Sequence, residues 1–390
     1  MLVYKGIKLR IYPNKEQQDK ILCNFGYNRF VWNQMLDMII KRYENNPKSK
    51  FLNAFALNYL LPELKCDNPF LKEAESTSLQ VTNKSLIDAY KRFFKFHKGF
   101  PKFKSRKYPK QSYTSGQRGK SIRIINNHHI NLPKLGTVKY QGAKSIEGKI
   151  KNVTIRLSAT NKYYAILLVE QEVKPFNKTG NKLGIDMGVA DLAITSSGVK
   201  YPTVRFDKIL AQKKHYWEKR LARRRLQADY FIAQDKHNKA LVPRTLADFK
   251  NYQKAKLMVA KYSEKVANQR KGYLHNITTQ LVKDNDVIVM EDLKAKNLLK
   301  NHKLARAIAN QGWREFRMML EYKCQWYGKN FIAINPYKTS QICSTCGHDD
   351  GKHTLDIRDW VCPQCHTHHD RDINAAKNIL HLGLEQALVK

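Results

Sequence analysis

The sequence predicts a multidomain α+β protein, in which a β-domain interrupted by helices precedes an α/β domain that carries a four-cysteine metal site. Three observations support this fold class. Apolar and polar residues alternate near the start of the chain and again between about residues 121 and 173, with helical patterning between them. From Lys182 onward, short apolar strands alternate with long helices. Two Cys-x-x-Cys pairs follow near the end.

The amino-terminal half is predicted to be a β-domain with a helical insertion. Residues 7–11 alternate apolar and basic side chains, as a half-buried strand does. Residues 15–97 lose this period and are predicted to be helical, so the first strand is separated from its sister strands. The predicted ranges are 1–20 and 120–178 for a β-barrel and 21–119 for the helical lobe that interrupts it.

The second half is predicted to be an α/β domain. Short strands begin at Lys182, Asp191 and Val199, two long basic helices follow, and an apolar run from Val287 forms a buried strand. A helix near 305–327, a strand and a last helix complete the order. Three strands, helix, strand, helix, strand, helix is the order of an RNase H-like domain. The predicted ranges are 179–340 and 368–390 for this domain and 341–367 for a zinc ribbon.

Four cysteines have the spacing of a four-thiolate zinc ribbon. Fifteen residues separate the pair Cys343 and Cys346 from the pair Cys362 and Cys365. Four thiolates leave zinc no open position for water, so we expect a structural metal. Five histidines crowd this region; one of them can replace a cysteine, but we expect them to be solvated or to contact phosphate. They are His348, His353, His366, His368 and His369.

Three carboxylates occur where such a sheet can bring them together. Asp186 ends the first strand of the domain, Glu291 ends the fourth, and Asp372 opens the last helix. Hydrolysis of a phosphodiester needs an activated water and a stabilised leaving oxyanion, which two Mg²⁺ ions roughly 4 Å apart supply. Carboxylate oxygens suit Mg²⁺, and the cations remove the mutual repulsion of the acids. We therefore predict a two-Mg²⁺ catalytic site at these residues.

Each acid has an alternative. Asp186 can be a solvated residue at the end of a strand. Asp292 follows Glu291 and must point to the opposite face of the sheet, so only one of the two can join the site, and a carboxylate buried after an apolar run favours Glu291. Asp372 can be the N-cap of the last helix, a position that Asp370 fills equally well, and Asp370 is then the alternative to Asp372 in the site.

The composition indicates a nucleic-acid partner. The chain has 71 Lys and Arg against 33 Asp and Glu, a formal charge of +38. Self-repulsion of this size is relieved by a polyanion. The first residues contain no long apolar run, so we expect neither a signal peptide nor a membrane segment. An odd total of seven cysteines then argues against disulfides and for a reducing compartment.

Basic residues interleaved with aromatic residues mark the expected nucleic-acid surface. Between Lys91 and Arg123 there are twelve Lys or Arg, seven Phe or Tyr and no acid. Cations neutralise phosphates, and exposed rings can stack on unpaired bases. A basic run from Lys219 and a patch at Gln269 are expected to contact phosphate rather than to be merely solvated. The candidates are Lys102, Lys104, Arg106, Lys107, Arg223, Arg224, Arg225, Arg270 and Lys271.

Four motifs resemble those of the TnpB family, the transposon-encoded RNA-guided endonucleases ancestral to type V CRISPR effectors. They are Gly-Ile-Asp-Met-Gly from Gly184, Val-Met-Glu-Asp-Leu from Val289, Thr-Ser-Gln-x-Cys-x-x-Cys-Gly from Thr339 and Asp-Arg-Asp-x-Asn-Ala-Ala-x-Asn-Ile from Asp370. The resemblance covers nearly the whole chain. One departure is His366, where the family usually has glycine after the cysteine; we expect zinc binding to survive it with an altered local turn.

The resemblance implies a wedge-type β-barrel, a helical recognition lobe and a RuvC nuclease domain that carries the zinc ribbon. It implies a transposon-derived guide RNA that pairs with double-stranded target DNA beside a short adjacent motif, and one RuvC site that cuts both strands. The family's catalytic Asp, Glu and Asp map to Asp186, Glu291 and Asp372. We expect one protein chain per RNA and a prokaryotic cytoplasmic location at the nucleoid.

Two other functions stay open. A strand-transfer transposase also uses three acids and usually carries an end-binding helix-turn-helix, whereas a guided repressor binds DNA without cutting it. The presence of all three acids favours a nuclease. Delegation of sequence reading to a guide agrees with the lack of an identifiable recognition helix. A Holliday-junction resolvase shares the acids but leaves the zinc ribbon and the helical lobe unexplained.

Overall fold

The computed structural model describes residues 1–107, 111–142, 145–293, 302–351 and 357–388. The chain divides into two compact units, one spanning Leu2–Glu172 and the other formed by Met1 with the chain from Val173 onward. Both units mix helices with strands. The prediction of a multidomain α+β protein is therefore confirmed.

The first unit is built on a seven-stranded antiparallel sheet. Strand β1 lies between β7 and β5, and its alternation buries Leu9 and Ile11 while Lys8 is exposed. The strand order is β2-β6-β7-β1-β5-β4-β3. The strands are β1 (Leu2–Tyr12), β2 (Gln111–Gly116), β3 (Arg123–Asn126), β4 (His129–Leu132), β5 (Gly136–Gln141), β6 (Lys149–Leu157) and β7 (Tyr163–Glu172).

The prediction of a β-barrel is not confirmed, because no closed barrel is found in the part of the chain that the structure describes. Among the described residues, the outer strands β2 and β3 are not paired with each other. Ile21 and Phe25 of the following helix pack on the buried face of the sheet. Alternation along a strand predicts that one face of the sheet is buried. It does not predict whether the sheet closes into a barrel, because closure depends on how the edge strands pair.

The first helix begins at Lys15, where the sequence predicts that helical patterning starts. Asn14 caps the first helix: its side chain accepts the backbone N–H of Gln17, and the Gln17 side chain accepts the Asn14 N–H. The helices are α1 (Lys15–Asn45), α2 (Ala54–Tyr59), α3 (Leu61–Asp67), a 3-10 helix (Pro69–Glu73) and α4 (Ser76–Phe96).

The second unit contains a five-stranded sheet in the order β10-β9-β8-β11-β12. Strands β8, β11 and β12 are parallel, and β8, β9 and β10 are antiparallel. This arrangement follows the predicted order of three strands and then two that alternate with helices. The strands are β8 (Lys182–Asp186), β9 (Asp191–Thr195), β10 (Lys200–Pro202), β11 (Val287–Glu291) and β12 (Asn330–Ile334).

Helices of this unit pack on the sheet, and a small hairpin precedes the last of them. The helix predicted near 305–327 is two helices, because Gly312 between them adopts a left-handed φ of 73°. The hairpin strands are β13 (Asp359–Val361) and β14 (His368–Asp370). The helices are α5 (Phe206–Ile209), α6 (Ala211–His237), α7 (Lys250–Asp284), α8 (His302–Gln311), α9 (Trp313–Tyr327) and α10 (Arg371–Leu388).

None of the helices within the described residues has both the length and the apolar character that a membrane crossing requires.

Two glycines allow α10 to lie directly on the sheet. A Cβ atom on Gly184 of β8 would overlap the backbone carbonyl oxygen of Ala376, and a Cβ on Gly383 of α10 would overlap the side chain of Val289. Backbone can approach this closely only where no side chain intervenes. The helix that carries Asp372 is therefore held against the two strands that carry the other two acids.

Replacement of Gly184 by alanine is expected to destabilise the second unit by about 1–3 kcal/mol, because the methyl group would overpack the helix–sheet contact. Gly272→Ala in α7 is the matched control, since a Cβ there meets no atom within 4 Å. That variant should gain up to about 1 kcal/mol from helix propensity. Urea unfolding curves measure both, and equal midpoints for the two variants would contradict the close packing.

Candidate active site and cysteine cluster

Two carboxylates end neighbouring parallel strands at the same level. Ile185 of β8 lies opposite Met290 of β11, so the next residues, Asp186 and Glu291, follow side by side. Side chains at equivalent positions of adjacent strands point to the same face of a sheet. The register therefore brings these two acids together at the carboxyl end of the sheet.

Asp372 lies in the first turn of α10, and Asp370 caps that helix. The Asp370 carboxylate accepts the backbone N–H groups of Asp372 and Ile373, each at 3.0 Å, and also receives Lys200 Nζ at 2.6 Å. The capping role that the sequence allows for either aspartate thus belongs to Asp370. The Asp372 carboxylate instead receives Arg358 Nη1 at 2.9 Å.

Glu291 and Asp372 both lie close enough to Asp186 for their charges to act on it. Burial, with added repulsion from the carboxylates of Glu291 and Asp372, raises the pKa of Asp186 to about 7. Burial also raises the pKa of Glu291, although a 2.6 Å hydrogen bond from Thr339 Oγ1 opposes this shift. Carboxylate oxygens are the ligands that Mg²⁺ prefers, so the chemistry of this donor set suits a divalent cation. Among the described residues, the ligand atoms that lie within 4.8 Å of one another are those of the four cysteines, so the three acids would have to draw closer to share a cation.

Asp292 turns away from this group. Its carboxylate pairs with the guanidinium of Arg317 on α9, and its backbone N–H donates to Ile334 O at 2.7 Å. Glu291 is only 7% exposed and contacts Thr339. The structure thus places Glu291, and not its neighbour, among the candidate site residues.

The four ribbon cysteines form a compact cluster consistent with a structural zinc site. Their sulfur atoms all lie within 4.8 Å of one another. The Sγ atoms of Cys343 and Cys365 are 3.7 Å apart, and those of Cys346 and Cys362 are 3.6 Å apart. Zinc–sulfur bonds of about 2.3 Å in a tetrahedron give sulfur–sulfur distances of about 3.8 Å. The donor set therefore fits zinc.

The two knuckles of the ribbon have the same backbone turn. In each, the N–H of the residue after the second cysteine donates to the carbonyl of the first, at 2.9 Å for both Gly347 and His366. Gly347 has a φ of 79° and His366 a φ of 58°. His366 therefore adopts the left-handed conformation that glycine favours, and the turn expected to differ is retained at the cost of backbone strain.

Hydrogen bonds connect the first cysteine knuckle to α10 and, through Thr339, to Glu291. Asn374 accepts the N–H of Ser344 and donates to Ile342 O, both at 2.8 Å. Asn378 donates to the carbonyls of Ile342 and Thr339. Because Thr339 in turn donates to Glu291, the ribbon, α10 and the acidic site form one connected network.

Sequence reasoning missed several members of this network. Thr339, Asn374 and Asn378 belong to the motifs recognised in the sequence, yet only their contacts reveal what they do. Arg358 carried no signal of its own, because its pairing with Asp372 depends on how the hairpin folds.

The histidines differ from expectation at one position. His366 and His368 are exposed and His348 is half-buried, while His353 lies outside the described residues. His369 is buried, with Nε2 3.0 Å from the Sγ of Cys343, so it is neither solvated nor open to phosphate.

The predicted nucleic-acid residues of the first unit line an exposed segment after α4. Lys102, Lys104, Arg106 and Lys107 are all exposed. The segment lies along α1, since the side chain of Asn33 exchanges two hydrogen bonds with the backbone of Lys104. The Lys104 ammonium sits 3.6 Å from the centroid of the Trp32 ring. The remaining three cations stay accessible to phosphate.

The predicted nucleic-acid residues of the second unit divide into two groups. Arg223 and Lys271 are exposed, and Arg224 bonds only to the neutral side chain of Gln227 among the contacts described. Arg225 pairs with Asp229 at 2.7 Å. Arg270 reaches the carbonyls of Ala309 and Asn310 and lies 3.9 Å from Glu315, so it also stabilises the protein itself.

Comparison with known proteins identifies the family. Three family models match: a "Helix-turn-helix domain" over residues 1–48, a "Probable transposase" over 166–302, and a "Cas12f1-like, TNB domain" over 313–379. A relative from Streptomyces pristinaespiralis named "Putative RNA-guided DNA endonuclease" is 32% identical over 98% of this chain and 90% of its own length. The chain belongs to the TnpB family.

Two further similarities agree with this TnpB assignment. The Escherichia coli K12 protein "Putative RNA-guided DNA endonuclease InsQ" is 32% identical over 97% of this chain and 92% of its own. Cas12f1, solved in a complex with sgRNA and target DNA, aligns with a TM-score of 0.52 at 15% identity and covers 97% of this chain and 98% of that one. The fold is therefore that of Cas12f1.

The left-handed turn of this TnpB ribbon predicts that His366→Gly is tolerated and stabilising. Removing the Cβ relieves strain of about 1 kcal/mol, so the variant should keep its metal and release it to a chelator no faster than the wild type. Gly347→His at the matching knuckle position should do the reverse. Chelator competition with a colorimetric zinc indicator measures both, and faster metal loss from His366→Gly would contradict the argument.

Proposed function

We propose that this protein is an RNA-guided DNA endonuclease, whose guide RNA pairs with target DNA beside a short adjacent motif while one RuvC site cuts both strands. The observation that carries the proposal is the set of three acids Asp186, Glu291 and Asp372, from two strands and a helix, in which the carboxylates of Glu291 and Asp372 both raise the pKa of Asp186. Relatives 32% identical over nearly the whole chain, named as RNA-guided DNA endonucleases, support the substrate.

In this proposal the three carboxylates would hold two Mg²⁺ ions, and the chemistry that these ions would supply is activation of a water and stabilisation of the leaving oxygen of the phosphodiester. Asp186 and Glu291 supply oxygens from adjacent strand ends, and Asp372 supplies the third from the helix. Thr339 orients Glu291 through its hydrogen bond. Arg358, now paired with Asp372, would have to leave that carboxylate for it to bind a cation.

Zinc at the four cysteines would act as a structural clamp. A site closed by four sulfurs contributes folding energy and leaves no position for substrate. Since the first knuckle bonds to α10 through Asn374 and Asn378, a folded ribbon would hold the helix that bears Asp372. We therefore assign zinc to the integrity of the nuclease site rather than to its chemistry.

The basic surfaces would bind the guide and its target. Arg220, Arg223 and Arg224 line a cleft of about 400 Å³ with Tyr216 and Gln227, a setting that suits a phosphate backbone. The seven-stranded sheet would serve as the wedge-type domain and the helical insertion as the recognition lobe. We expect one chain per RNA, acting on nucleoid DNA in the prokaryotic cytoplasm.

The competing functions have less support. A transposase that binds element ends through a helix-turn-helix needs two helices joined by a short turn. In the matched residues 1–48 the structure instead has strand β1 and the single helix α1. A guided binder that does not cut would not need to hold three carboxylates together at a cost in electrostatic free energy.

The nuclease assignment predicts that Asp186→Ala abolishes DNA cleavage, because this carboxylate would hold Mg²⁺ at the reacting phosphate. RNA and DNA binding should stay nearly unchanged, because the variant alters none of the proposed phosphate-binding cations. The protein is purified with RNA after expression with its native flanking DNA, and cleavage is followed in Mg²⁺. Asp292→Asn, which alters a carboxylate on the other side of the same strand end, is the control and should cut normally. Cleavage by Asp186→Ala at the wild-type rate would refute the site.

The cleft on α6 predicts that the double variant Arg223→Gln/Arg224→Gln binds guide RNA more weakly. Loss of two phosphate contacts should lower the slope of log affinity against log salt by about 1.4–1.8. Arg225→Gln is the control, because this arginine is already paired with Asp229 and should change the slope little. Filter binding across a salt series gives the slopes, and indistinguishable values would remove the cleft from the interface.

A further inference from the structure

We propose that His369 is a positioning residue that donates an N–H to a zinc-bound thiolate and thereby couples the metal to the helix carrying Asp372. The inference rests on the proposed zinc site. His369 is 5% exposed, and its Nε2 lies 3.0 Å from the Sγ of Cys343. The spacing of the cysteines does not predict a role for this histidine.

The histidine lies outside the ring of metal ligands. In the described part of the chain, the group of ligand atoms within 4.8 Å of one another consists of the four cysteine sulfurs. His369 is not part of this group, and its Nε2 contacts the sulfur of Cys343. A zinc-bound sulfur is a thiolate and can only accept a hydrogen bond, so the imidazole nitrogen facing it must carry the proton. This assigns the tautomer with hydrogen on Nε2.

The contact has a chemical purpose. Four thiolates give a zinc site two net negative charges, and each N–H directed at a sulfur reduces the repulsion among the ligands. Residues that hold metal ligands from outside in this manner typically change metal affinity 10–100-fold when removed. The ring of Trp360, whose centroid lies 4.8 Å from that of His369, keeps the imidazole in place across the hairpin.

The contact also reaches the nuclease site along the chain. His369 immediately precedes Asp370, whose carboxylate caps α10 by accepting the N–H groups of Asp372 and Ile373. A shift of strand β14 would therefore move the cap and the first turn of the helix. A zinc ion bound by Cys343 would hold the Sγ atom that His369 contacts, and His369 would in turn hold the end of strand β14. Asp370, the next residue, caps the helical turn that contains Asp372.

Zinc transfer to a chelator, measured on the whole RNA-bound protein, tests this inference. His369→Leu fills the space without a donor and should lose zinc at least about tenfold faster. His369→Gln places an N–H near the position of Nε2 and should restore retention close to that of the wild type. His368→Leu, on the exposed face of the same strand, is the control and should behave as the wild type.

Two further readouts separate a hydrogen bond from simple packing. In Co²⁺-substituted protein, loss of the N–H makes the thiolate more electron-rich, so His369→Leu should move the sulfur-to-cobalt charge-transfer band to longer wavelength and His369→Gln should not. His369→Leu should also slow single-turnover DNA cleavage while guide and target binding persist.

Failure of the role of His369 can be distinguished from failure of the proposed zinc site. Stoichiometric zinc in the wild type, together with wild-type zinc loss and an unshifted cobalt band in His369→Leu, refutes the role of His369 alone. Absence of zinc from the wild type refutes the zinc site, and this inference with it.

Discussion

The hydrogen bonds that join the first cysteine knuckle to the terminal helix are the constraint on which the rest of the second unit depends. Asn374 accepts the backbone N–H of Ser344, next to Cys343. Asn378 donates to the carbonyl oxygen of Thr339, and the Thr339 hydroxyl donates to Glu291. The apolar contact with the sheet and the ion pairs Lys200–Asp370 and Arg358–Asp372 also hold this helix, but they do not join it to Glu291. An acid from the helix and two acids from the strands are brought together because the ribbon ties one to the others.

The close approach of helix and sheet gives this arrangement its precision and its electrostatic cost. Gly184 and Gly383 let α10 lie against β8 and β11, so Asp186 comes under the influence of both Glu291 and Asp372. Burial raises the pKa of both strand acids, which means that the folded protein holds carboxylates in a place that disfavours their charge. Such a site is suited to cations and is costly without them.

Much of this was predictable from the sequence, because strand-end acids and cysteine spacing are local signals. Asp186, Glu291, Asp372 and the four cysteines were all predicted from short patterns, and the family motifs agree with them. Three features were not predictable, since each depends on contacts between distant residues. Alternation in β1 cannot tell an open sheet from a barrel; the run across Gly312 cannot show that one helix is two; and nothing beside His369 distinguishes a buried histidine from its exposed neighbour His368.

The central claim is that an RNA directs this acidic site to a chosen DNA sequence. The most direct measurement is to sequence the RNA that copurifies with the protein expressed from its native flanking DNA, then to change the 3′ tail of that RNA and map the new cut. The account predicts one dominant RNA with a fixed scaffold, and cleavage that moves to the sequence matching the altered tail. A mixture of unrelated fragments, or a cut that stays in place when the tail is changed, would contradict it.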